Sequence, residues 1–597
     1  MLTIFAGSDR VSQYKNEYRL KSLALSGDNE FQADRTRSTA DDLALWKRFR
    51  GVTGEDAKVS TIQRMKLSAN AAAPLGFHLP NLLPPDTRRG EALMNDIWRI
   101  GMERVVMPSG HTPWSAPLPS RHFADRLHRF AWLPDLASQG RVSEDRARAF
   151  VDDWIENFGR FDGFSWRVDV TATRAWNWMR CGEMLFDPEH AGSTERLENL
   201  LRQLRFLRET VDGASDARGR WMGACALVAM AVCTKEIEHL DETLHRLESE
   251  CSAQILPDGG HVSRSPSRLL SALTHLLALK TLLKTANQPI PDYFDKWIPR
   301  MGSMVAFFRV PDGSLNPFND GHESRPEAVS AAMERLDGLP RRFTFAPKSG
   351  FQKLEKNTLR LILDCGEAPE RPFGDYAHAG ALGFELSDGP ARIVTSCGFS
   401  PEVNVDWQAA VRRTGAHSTL VLNGRDSASF VMNDETRILA VNGPEGISAK
   451  RLEESDEIWL DAQHSGYKST HGLLHRRRLF MSGNGQRLTG EDALVRPVSH
   501  SDSDDRYFVN FEIRFHLHPT VTALMGKDAI RLICDDGTVW RFKTSHENAR
   551  LERTIYLARG NVERPEQIVL AGRADPNGDG TEPPNCVRWA FLKEASL

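Results

Sequence analysis

Cysteine and tyrosine are scarce in this 597-residue chain, at eight and seven residues. The cysteines (Cys181, Cys225, Cys233, Cys251, Cys365, Cys397, Cys534 and Cys586) are scattered, with no CxxC pair, so a disulfide framework or a cysteine zinc site is not expected. Charge bias is lacking too: 76 basic against 80 acidic side chains leave a formal charge of −4. That balance gives no footprint for nucleic acid or for an anionic membrane. Long hydrophobic runs are missing. The longest, Trp221–Cys233, falls well short of the roughly 18–20 residues that span a bilayer and reads as a buried helix. The first residues, MLTIFAGSDRVSQYK, lack the charged and apolar regions of a secretory signal, so the expected compartment is the cytoplasm. There is no P-loop, no GxGxxG after a strand, no HExxH and no GxSxG, which removes the usual signals of phosphoryl transfer, dinucleotide chemistry and serine hydrolysis.

Two periodicities are present. Up to about residue 340 the pattern is helical, with leucines at 269, 270, 273, 276, 277 and 283 forming one wide apolar stripe. Further helices are expected over Glu144–Phe158, Ala172–Leu185 and Glu195–Val211. Trp154, Trp166, Trp176, Trp178 and Trp221 either pack this core or stack on sugar rings. After about Pro347 the period becomes two, in Thr358–Cys365, Leu382–Leu386, Ala391–Ser396 and Val539–Lys543. Asp388-Gly389 and Asn423-Gly424 are hairpin signals. Helices followed by antiparallel strands predict an α domain (1–345) and a β-sandwich domain (346–597).

Five segments carry the candidate chemistry. In Asp258–Pro266, Ser265 suits an N-cap and Pro266 the first helical turn, so His261, Arg264 and Arg268 flank a helix start able to cradle an anion. Tyr376 and His378 stand two apart before a strand and can share proton transfers. Arg412, Arg413 and His417 form a third group, and His464, Tyr467, His471 and His475 a fourth. In the fifth, alternation puts Arg514, His516 and His518 on one strand face, but nothing nearby in sequence completes a zinc ligand set. A glycosidase would need two carboxylates across a cleft, and Asp258, Asp320 and Glu323 are too scattered to nominate a pair.

Taken in order, Asp258–Pro266, His378–Leu386, Arg413–Leu420, His464–Tyr467, Gly490–Asp492 and Arg514–Pro519 resemble the heparinase II/III family of polysaccharide lyases and its lyase-like bacterial relatives. The resemblance runs from about Phe123 to the C-terminus. It implies an incomplete (α/α) toroid followed by an antiparallel β-sandwich, a cleft between them, and an anionic, uronate-bearing polysaccharide or oligosaccharide cut by β-elimination. His378, Tyr376, His417 and Tyr467 would then serve catalysis, and His261, Arg264, Arg268, Arg413 and Trp221 would bind substrate. The chain also departs from the lyase pattern. Ser263 and Arg268 stand where the lyases carry Glu and Tyr. Some members hold a structural zinc through two histidines and an aspartate. His378 and His417 match that set but Ser396 takes the aspartate's place, so no metal is expected. The competing expectation is a non-catalytic glycan-binding or envelope-associated protein that keeps the fold.

Overall fold

The structure, a computed structural model, describes residues 74–594 apart from 109–110, 371, 404, 433–437 and 498–507, and leaves the side chains of 376 and 438–440 undescribed. Its first half is a succession of helices, of which seven carry the core: α1 (Arg141–Phe158), α2 (Val168–Arg180), α3 (Ser193–Thr210), α4 (Ala217–Cys233), α5 (Leu240–Gln254), α6 (Pro266–Thr285) and α7 (Asp292–Phe308). α4 is the centre of this half. It is apolar all round and buried along nearly its whole length, because α2, α3, α5 and α6 pack on it from several sides. Asp216 starts α4 by accepting a hydrogen bond from the Gly219 N–H at 2.8 Å. Ser265 caps α6, with Pro266 in its first turn. The helix expected over Ala172–Leu185 is interrupted at Cys181, so Gly182–Phe186 forms a separate turn.

Two large antiparallel sheets of the second half share one apolar core, and Ser429–Met432 pairs with Ile438–Asn442 in a separate two-stranded ribbon. The eight-stranded sheet runs Ser448–Glu454, Glu457–His464, Leu474–Met481, Arg487–Val495, Cys586–Lys593, Val539–Thr544, Ile530–Ile533 and Thr522–Met525. The nine-stranded sheet runs Ala549–Arg553, Glu566–Ala574, Val509–Leu517, Ala391–Thr395, Phe384–Asp388, Leu359–Asp364, Phe351–Lys356 and Phe345–Ala346, with Leu420–Leu422 also paired to Val509–Leu517. Asp388-Gly389 turns between two paired strands, as its residues dictate. Asn423-Gly424 also turns, both residues having positive φ, but the returning chain makes only a single bridge, Leu422 to Arg425. The strand Leu420–Leu422 takes Val509–Leu517 as its partner instead.

Charged side chains lock the halves together. Arg264, just before α6, reaches into the sandwich, where it pairs with buried Asp364 and donates to the Ser349 carbonyl at 2.8 Å. Its φ of +60° is a strained conformation for a non-glycine residue, held by those contacts. Arg392 pairs with Asp312 at 2.8 Å, and Glu323 accepts from His518 Nε2 at 2.9 Å and from Arg559 at 3.1 Å. No helix among the described residues is long and apolar enough to cross a membrane.

Candidate functional site

A groove of about 310 Å³ opens on the helical half and is closed on one side by Phe399 and Pro401 of the β half. Four arginines line it, Arg126, Arg180, Arg218 and Arg268, with Asp320 as the one acidic side chain among the described lining residues. Arg268 pairs with Asp320 at 2.5 Å. Arg126 lies 4.0 Å from Glu402, and Arg180 donates to Asn177 at 2.9 Å. Burial draws both Arg126 and Arg180 below the ordinary guanidinium pKa, against the opposing pull of Glu402 on Arg126. An anionic ligand would oppose the same shift.

Three histidines complete the polar wall. Burial, reinforced by Arg268, pushes His261 down to about 3; its Nδ1 lies 2.8 Å from Ser263 Oγ. Burial, reinforced by Arg180 and Arg218, pushes His275 down to about 3, and its Nδ1 accepts the Trp221 indole N–H at 3.1 Å. His322 is likewise lowered by burial. All three are therefore neutral at neutral pH, so the positive potential of the groove comes from its arginines. Trp176 and Trp221 supply an apolar wall, Trp176 meeting His275 edge-on at 4.9 Å.

Of the nine side chains nominated from sequence, His261, Arg268 and Trp221 line this groove. Arg264 does not, because its guanidinium is spent on Asp364 and on backbone carbonyls of the β half. Arg413 is paired with Asp426 at 2.8 Å and lies over Phe430, and Arg412 donates to the Ala377 carbonyl at 2.9 Å, so neither joins the lining. Tyr467 is fully buried in the sandwich core, its hydroxyl donating to the Leu420 carbonyl at 2.7 Å, and burial pushes its phenol up. It is placed to hold a strand, not to move a proton in the groove. Tyr376 ends a 3-10 turn, Gly374–Tyr376, and its side chain lies outside the described residues.

His378 and His417 face each other at 5.3 Å between ring centroids, around a second, enclosed cavity of about 10 Å³. Phe399 has its ring centroid 5.9 Å from that of His378 and lines the groove as well. Among the described residues no three His, Cys, Asp or Glu side chains are grouped so as to hold a metal ion. Trp154, Trp166 and Trp178 are core residues. Sequence reasoning missed Arg126, Arg180, Asn177, His275 and His322; apart from Asn177 and Arg180, three apart on α2, they come from separate helices and a loop and show no shared spacing. The neighbouring Arg218-Gly219-Arg220-Trp221 run was the one visible signal.

Two family models cover most of the chain: Heparinase II/III N-terminus matches residues 116–340 and Heparinase II/III-like, C-terminal matches 338–590. The chain is 29% identical over 564 residues to FtsZ-localized protein C of Caulobacter vibrioides, covering 92% of this chain and 96% of that one. Among solved structures it is similar to heparinase III, with a TM-score of 0.64 at 15% identity over 100% of this chain and 93% of that one. It is also similar to a mutant of heparan sulfate lyase HepC from Pedobacter heparinus, with a TM-score of 0.54 at 15% identity over 99% and 92%. These likenesses show the fold, a helical toroid followed by a β-sandwich. By its two matched domains, the chain belongs to the heparinase II/III-like family.

Proposed function

We propose that this protein binds an acidic, uronate-bearing saccharide in the arginine-lined groove without cutting it by β-elimination, and that it acts together with FtsZ. The composition of the groove carries the first statement. β-Elimination needs a neutraliser for the uronate carboxylate, a base for the C5 proton and an acid for the departing O4. The arginines suit the first task. For the other two the described lining offers no tyrosine; it offers His261 and His275, each with one ring nitrogen engaged, and His322. Arg268 stands where the family's lyases place their tyrosine, so a cation replaces a proton donor. The FtsZ statement rests on the relative whose name carries it, 29% identical along nearly the whole chain.

A titration with uronate oligosaccharides, paired with ultraviolet absorbance, tests the reading. Binding should weaken with salt, and no absorbance from a new C4–C5 double bond should appear. Arg218→Ala and Arg268→Ala should each cost about 1.5–3 kcal/mol of binding, roughly tenfold or more, the usual range for a hydrogen bond to a charged group. Salt-insensitive preference for neutral glucans would refute the saccharide assignment. Failure to co-sediment with FtsZ polymers would refute the FtsZ one. A second reading, an active lyase, is favoured by His322, whose Nδ1 is buried beside the groove without a hydrogen-bond partner and is chemically suited to be a base. Double-bond absorbance that is lost in His322→Ala would select it.

A further inference from the structure

The two-histidine, one-carboxylate zinc site of the family does not fit this chain, and we propose that His378 and His417 share a single buried water in its place, leaving a metal site that lacks only its carboxylate. Both nitrogens of His378 and Nε2 of His417 are buried without a hydrogen-bond partner in the protein. Each such group costs about 1–3 kcal/mol if left unsatisfied. The two rings border the same cavity as Ser396 and Glu385, and its volume of about 10 Å³ matches one water. Gly380 makes the approach possible, since a Cβ there would meet His417 Nδ1 at 2.9 Å.

Zinc is excluded by its own requirements. It takes four donors in a tetrahedron at about 2.0–2.2 Å, three of them protein side chains even where a water fills the fourth position. Here two imidazoles are available. Ser396 offers a hydroxyl, and the Glu385 carboxyl is tied to the Ser396 N–H at 3.0 Å. The other carboxylate of the cavity, Asp364, is already paired with Arg264, so a doubly charged ion held there would be a poorly compensated buried charge. A water molecule instead donates one hydrogen to each ring, meeting two of the three unpaired nitrogens, and adds no charge. The pair sits at the junction of the two halves: the backbone N–H of His378 donates to Asn319 Oδ1 at 3.2 Å, and Asn319 donates to the Arg264 carbonyl at 3.0 Å. Where a metal would pin that junction, Arg264–Asp364, Arg392–Asp312 and the Glu323 cluster pin it directly.

The test uses the full chain, purified and crystallised in the presence of zinc. The native protein should show a density peak at about 2.7–3.2 Å from the ring nitrogens, with no anomalous signal at the zinc edge. Elemental analysis should find the same negligible zinc in native protein and in His378→Gln. Ser396→Asp should take up one zinc per chain, and Ser396→Asp with His417→Asn should lose it. A native zinc ion at about 2.0–2.1 Å from both rings, removed by His378→Gln, overturns the proposal. So does a folded Ser396→Asp protein, verified by circular dichroism, that binds no zinc. If Ser396→Asp does not fold, the anomalous map of the native crystal decides.

Discussion

Glu385 should make the protein less stable as pH rises, and Glu385→Gln should abolish that loss. The side chain lies on Phe384–Asp388, 4% exposed, with its carboxyl accepting from the Ser396 N–H. Burial, outweighing the pull of nearby Arg392, pushes the carboxyl from 4.5 up to about 7. The folded state therefore keeps a proton that the unfolded chain releases. Stability from this group is fully present below the unfolded value and is lost as pH rises through about 7. At about 1.4 kcal/mol per tenfold change in proton affinity, the loss amounts to about 3 kcal/mol in alkaline solution. Glutamine keeps the shape and the acceptor for Ser396 but carries no charge. Urea unfolding followed by circular dichroism should find the variant and the native protein nearly equal at about pH 4.5, and the variant more stable by about 3 kcal/mol at about pH 8.5. Other carboxylates titrate alike in both proteins and cancel in the difference. A variant that is equally or less stable at both pH values would show that Glu385 ionises normally in the folded protein, and would refute the reasoning.

Two further substitutions separate structural from functional roles. Arg264→Ala leaves Asp364 charged and buried, so it should cost about 3–5 kcal/mol, and combining it with Asp364→Ala should cost less than the two single losses added together; strict additivity would mean the pair is not coupled. Tyr467→Phe removes the hydrogen bond to the Leu420 carbonyl and should cost about 1–3 kcal/mol in unfolding measurements without changing saccharide affinity. Weaker binding by folded Tyr467→Phe would return this residue to the site.

Local signals in the sequence were reliable because local physics decides them. Ser265-Pro266 starts α6 through a cap and a preset φ, and Asp388-Gly389 turns a hairpin, with no help from the rest of the molecule. Alternation in Arg514–His518 likewise puts Phe515 and Leu517 in the core, while His516 and His518 turn to Thr554 and Glu323. The groove was less legible for the opposite reason. Arg126 and Arg180 belong to different helices, Arg218 to the first turn of α4 and His322 to a loop, so only packing around α4 brings them together. A charged residue in a motif also looks the same whether it meets a ligand or another part of the chain.

That ambiguity explains the misplacements. Arg264 and Arg268 flank one helix start, four residues apart, and both read as anion binders. The left-handed turn at Arg264 sends its side chain out of the helical half into the sandwich, whereas Arg268, within the first turn of α6, faces the groove. The same division recurs across the domain junction. His378 lies beside Phe399 and faces His417, and His518 is held by Glu323, so motif residues close the two halves onto each other. Apart from His261, the groove is left to side chains outside those motifs. On the reading proposed above, a chain with Arg268 where the family's lyases carry a tyrosine keeps the junction of the fold and puts a cation in place of a proton donor.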